Sequence, residues 1–68
     1  MKKLLKAYDF TSELEYFEMI DNSIINGQRA QAKAQFKEMP KSARLEYVNC
    51  VCNGNQSVNA SEISYFFE

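Results

Sequence analysis

Two stretches with helical apolar spacing, Leu14–Ile24 and Ala32–Met39, are separated by little more than a turn around Asn26-Gly27. A connection this short makes the second helix an antiparallel neighbour of the first, because a few residues cannot carry the chain elsewhere. That hairpin limits the possible folds more than any other feature. In the first stretch Leu14, Phe17, Ile20 and Ile24 recur at helical intervals. Ser12 and Glu15 match the S-x-x-E capping box. Glu13, Glu15 and Glu18 sit toward the end where the helix dipole favours acids. Gly27 supplies a left-handed stop. The spacing predicts a helix from Thr11-Ser12 to about Asn26.

The second helix is predicted over Arg29–Met39, whose Ala, Gln, Lys and Glu residues favour it intrinsically. Its narrow apolar stripe is Ala32, Phe36 and Met39. Pro40 ends this helix or opens the next. Ser42 is the expected cap of a third helix reaching Cys52, with Leu45, Val48, Val51 and Cys52 on one face. Asn53-Gly54 also resembles a hairpin turn, but Leu45–Cys52 fits helical better than alternating spacing. Leu4, Leu5 and Tyr8 suit a helix at one end. At the other, Ile63, Phe66 and Phe67 suit a helical turn capped by Asn59 or Ser61, although Ile63, Tyr65 and Phe67 also alternate like a strand. A chain of 68 residues makes one domain at most. The expectation is an all-α domain over residues 1–68, of three to four helices, built on the antiparallel hairpin. Its expected core is Leu14, Phe17, Ile20, Ile24, Phe36, Met39, Leu45, Val48 and Cys52.

The net charge of −1 hides a strong asymmetry. Asp9, Glu13, Glu15, Glu18 and Asp21 give residues 9–21 a local −5, with no base among them. Arg29, Lys33, Lys37, Lys41 and Arg44 form a basic stripe offset only by Glu38, a local +4. The favoured reading of the stripe is a solvated face that partly neutralises the first helix. Contact with a protein partner and contact with phosphates are the alternatives. Against nucleic acid stand the net negative charge, the lack of a base-reading cluster at a helix start, and a helix–Pro–helix junction unlike the usual helix-turn-helix. Asp21 falls within the apolar arc of the first helix, where a carboxylate is costly to bury unless paired. A structural ion pair with Arg29, Lys33 or Arg44 is the expected solution.

Catalytic equipment is missing from the sequence. There is no histidine to serve as a base or metal ligand. Cys50 and Cys52, in a C-x-C arrangement, offer two of the four ligands a structural zinc needs and lack an activating base. With two glycines, Gly27 and Gly54, no phosphate-cradling loop can be built. No catalytic, cofactor-binding or metal-binding residue is therefore assigned, and an enzyme is not expected. Two reduced thiols suit the cytoplasm. The opening MKKLLKAYDF has only Leu4-Leu5 before Lys6 interrupts, so neither a signal peptide nor a membrane anchor is expected.

Nine aromatic residues are many for a domain this small to cover. Tyr16, Met19, Tyr65, Phe66 and Phe67 lie off the main apolar arc or at the chain end, and are the candidates for contacting another chain. Residues 16–48 show an acidic aromatic helix and an I-N-G-[NQ] turn at Ile25-Asn26-Gly27-Gln28. A Gln/Ala/Lys helix follows, ending in Phe-x-x-[ML] at Phe36-Lys37-Glu38-Met39, and then a third helix. This pattern resembles small helical proteins of bacteriophages and other mobile elements, to which no activity is assigned. The resemblance implies helical structure, a mobile-element origin and, with that origin, the cytoplasm of a host cell. The leading expectation is a small accessory protein that binds another protein or a second copy of itself, a regulator or inhibitor of a host system if phage-encoded. The alternatives are a small nucleic-acid-binding module using the basic stripe, and a structural component of a larger assembly.

Overall fold

The hairpin turn forms as its glycine requires. In the structure, a computed structural model describing residues 1–68, Gly27 sits at φ 78°. Its N–H donates to the Ile24 carbonyl at 3.0 Å, and the Gln28 N–H donates to the Ser23 carbonyl at 2.8 Å. This pair of bonds is the Schellman arrangement, which satisfies carbonyls that the helix end leaves orphaned. It closes α2 (Glu13–Ile25) and leads directly into α3 (Arg29–Glu38). Tyr16, near the start of α2, donates its hydroxyl to the main-chain oxygen of Gln35, near the end of α3, at 2.6 Å. The Ser23 hydroxyl, near the end of α2, donates to Gln35 Oε1 at 2.9 Å. The Tyr16 bond joins the start of α2 to the end of α3 across a short turn, so the two helices run antiparallel.

The same stop recurs twice. In α1 (Lys2–Ala7) the Asp9 N–H donates to the Lys6 carbonyl and the Phe10 N–H to the Leu5 carbonyl. Asp9 takes the left-handed conformation, at φ 60°, that glycine takes elsewhere. In α4 (Lys41–Cys52) Gly54, at φ 77°, and Asn55 donate to Val51 and Cys50. After this turn come α5 (Ala60–Ile63) and a closing 3₁₀ turn, Ser64–Phe67. The fold is all-α, with five helices rather than three or four, and no strand forms where a β-hairpin was the alternative: α4 runs through Cys52 and a turn follows. Pro40 both ends α3 and opens α4, taking the cap position expected of Ser42. The box at Ser12 does not close. Glu15 instead accepts hydrogen bonds from the hydroxyl and N–H of Thr11, which hold its carboxyl below the ordinary glutamate range. A complete capping box forms between Asn59 and Glu62, at the head of α5.

One buried cluster joins α2, α3, α4 and the C-terminal segment: Tyr16, Phe17, Ile20, Ala32, Phe36, Met39, Ala43, Tyr47, Val51, Val58, Ile63 and Phe66. Phe17, Ile20, Phe36 and Met39 lie where the spacing places them, and Ile24 and Val48 pack half-buried against the cluster. Three expectations are corrected. Leu14 is 54% exposed, Leu45 is 57% exposed and Cys52 is exposed. On α4 the buried face is Ala43, Tyr47 and Val51. Counting about 100° per residue, it is turned roughly 110° from the face expected. Tyr47 explains the turn. Its ring meets Phe17 at 5.2 Å and Phe36 at 6.0 Å, and its hydroxyl reaches Asp21. Burying that aromatic ring contributes more than burying Leu45 would.

Candidate functional site

The rotation of α4 that buries Tyr47 leaves Leu45 exposed and Val48 half-buried at the edge of the core. They join Phe36 from α3 and Phe66 and Phe67 from the 3₁₀ turn to form the apolar walls of an open groove of about 260 Å³. Its remaining lining residues are Lys37, Lys41 and Arg44. Three cations thus border an apolar floor that no acid lines. In the floor Phe36 stacks on Phe66 at 4.7 Å and 29°, with Phe67 edge-on to Phe36 at 5.7 Å. Phe67 is 64% exposed, the most exposed large hydrophobic residue of the chain. The Nε–H of Arg44 is covered and has no hydrogen-bond partner.

The basic stripe does not act as one surface. The Arg29 guanidinium lies 4.3 Å from the centre of the Tyr65 ring, and the Tyr65 hydroxyl donates to the Arg29 carbonyl at 2.8 Å. Lys33 Nζ donates to the main-chain oxygen of Glu68 at 3.1 Å. These two residues tie the C-terminal segment to α3. Lys37, Lys41 and Arg44 are left at the groove.

Asp21 is buried as the spacing indicates, with 2% exposure, but its partners are not cations. The Tyr47 hydroxyl donates to Oδ1 at 2.6 Å, while Gln56 Nε2 and the Ser57 N–H donate to Oδ2. The expected pair with Arg29, Lys33 or Arg44 is corrected: one phenol, one amide and one main-chain donor satisfy the carboxylate. Its position explains why, since Arg29 and Lys33 are drawn to the C-terminal segment and Arg44 to the groove. The Asp21 cluster pins the segment after α4 to the middle of α2, and so holds the approach to α5.

The candidate contact aromatics divide. Tyr16 and Phe66 are core residues, Met19 and Tyr65 are half-buried, and Phe67 is open. Tyr16 was expected at the surface because the sequence reading gave α2 one buried face. A second face is covered by the N-terminal segment, where Tyr8 and Phe10 meet the Tyr16 ring edge-on at 5.5 and 6.4 Å. Burial pushes the Tyr16 and Tyr47 phenols above their ordinary range, and the hydrogen bond to and charge of Asp21 add to the effect at Tyr47. Leu45 and Val48 are the groove residues that sequence reasoning missed, having assigned both to the core.

A second hollow of about 400 Å³ lies where Phe10 meets α2 and the start of α3, lined mostly by amides and by Glu15 and Glu18. No cluster of three or more cysteine and carboxylate residues is placed to hold a metal ion, and Cys50 and Cys52 are free thiols. No helix is long and apolar enough to cross a membrane. Compared with family models, curated proteins and solved structures, the chain matches none.

Proposed function

We propose that this is a small accessory protein that acts by binding another protein, and that the groove between α3, α4 and the 3₁₀ turn is its contact surface. One observation carries the reading: Leu45 and Phe67 stand open beside a stacked phenylalanine floor, ringed by cations. Exposed apolar side chains that border one concavity favour association, since covering them recovers hydrophobic free energy. Aromatic and arginine residues at the centre of such a patch are the usual carriers of binding energy. The volume falls just below the roughly 300–1,000 Å³ common for small-molecule and cofactor sites, and suits one or two side chains of a partner. The resemblance of residues 16–48 to proteins of phages and mobile elements supports a host component as that partner, with regulation or inhibition as the outcome.

A photo-crosslinking amino acid at position 45, compared with one at the exposed Asn22 position on α2, tests this in the native host. The expected result is one discrete protein adduct from position 45 and none from position 22. An adduct of twice the chain's mass would make the partner a second copy. An adduct to nucleic acid, or none, would overturn the proposal and return the basic residues to the phosphate reading.

A further inference from the structure

We infer that the groove recognises a peptide segment in which an Asp or Glu side chain stands beside a large apolar one, with Arg44 reading the carboxylate. This rests on the protein-binding reading above and names its ligand chemistry. Complementarity of charge is the first ground. The groove is bordered by Lys37, Lys41 and Arg44 and by no acid, so the chain leaves these charges for an outside anion. Arg44 is the second. Its Nε–H is covered by the chain itself, so the terminal N–H groups are the part of the guanidinium that a ligand at the groove can meet. A carboxylate taken end-on by the terminal N–H groups of the guanidinium would make two parallel bonds. Lys37 and Lys41 are point charges without this fork and supply attraction rather than register.

The apolar part of the ligand follows from the floor. Leu45 and Phe67 are the exposed walls, and a leucine- or phenylalanine-sized side chain between them fits the space available. A nucleic acid fits less well. Phe36 and Phe66 are buried against each other, so Phe67 alone offers an open ring and successive bases have no stacking platform. The net charge of −1 also provides no long-range attraction for a polyanion.

The test selects a random-peptide display library against the immobilised full chain, then titrates the ¹⁵N-labelled protein with the best recovered peptide. Recovered sequences are expected to carry Asp or Glu within a few positions of Phe, Leu or Met. On titration the amide resonances of Arg44, Leu45 and Phe67 should move together. Arg44→Lys, which keeps the charge and loses the fork, should weaken binding about tenfold. Lys3→Gln, exposed on α1 and outside the groove, should leave binding unchanged. Recovery of basic or uncharged sequences, recovery of nothing, or equal binding by Arg44→Lys would each overturn the carboxylate assignment. If that happens while the position-45 adduct to a protein persists, only the ligand chemistry fails. Loss of both removes the protein-binding reading as well. A single-stranded oligonucleotide that shifts the same resonances, where no peptide does, would make the occupant a nucleic acid.

Discussion

Asp21 shows how a carboxylate can be buried by neutral donors alone. The Tyr47 hydroxyl, the Gln56 amide and the Ser57 N–H supply three hydrogen bonds to its two oxygens. Asp21→Asn would turn an amide N–H₂ toward at least one of these donors. The expected cost is about 1–3 kcal/mol, the usual penalty for leaving buried polar groups unsatisfied, read from denaturant unfolding. Tyr16 and Tyr47 make a second statement at this scale. Their folded pKa values are raised above the ordinary 10.0, chiefly by burial, so the folded chain holds these protons more tightly than the unfolded chain. Their contribution to stability is therefore fully present below pH 10 and is lost as pH rises toward the folded values. Phenolate absorbance from these two residues should appear together with loss of helical circular dichroism in an alkaline titration. Separate transitions would contradict their burial. That Asp21 is buried was readable from its place on the helix arc. Its partners were not, because residues 56–58 have no periodic signal and a tyrosine hydroxyl is easily counted only as an aromatic ring.

The helices of the hairpin were legible because spacing, stop and connection length all agree there. Ser12 to Gly27 carries a start, a stripe and an end, and Arg29 to Pro40 carries a stripe and an end. On α4 these signals conflict. Leu45, Val48, Val51 and Cys52 form one apolar face and Ala43, Tyr47 and Val51 another, and local spacing cannot choose between them. Tertiary contacts choose: Tyr47 meets Phe17, Phe36 and Asp21 together. Leu45→Gln should therefore change stability by no more than about 0.5 kcal/mol, as exposed substitutions do. Ile20→Ala, in the fully buried cluster, should cost about 2–5 kcal/mol. Thermal unfolding of the two variants would reveal an error in the orientation of α4 if their order were reversed. The helix stops permit an equally clean comparison. A Cβ added at Gly27 or Gly54 meets nothing within 4 Å, so substitution costs only the left-handed backbone. Gly27→Ala and Gly54→Ala should each destabilise by about 1–2 kcal/mol, measured by chemical denaturation.

At the scale of the whole molecule, the groove was not legible because it is assembled from three elements. Phe36 reads as core, Leu45 as core and Phe67 as tail, and only the fold brings them into one concavity beside Lys37, Lys41 and Arg44. The basic stripe was visible in the sequence, but its division was not. Two of its members hold the C-terminal segment and three border the groove. The proposed docking surface is thus a consequence of the rotation that buries Tyr47, since the same rotation exposes Leu45. Leu45→Asp places a charge in the groove without touching the core, and it adds an anion where the inferred ligand carries one. The decisive measurement is the dissociation constant, by calorimetry, of the partner crosslinked through position 45, for the wild type and for Leu45→Asp at matched fold stability. Binding weakened tenfold or more, as for a residue at the centre of an interface, is the expected result. Equal affinity for the two proteins would contradict the groove as the binding surface.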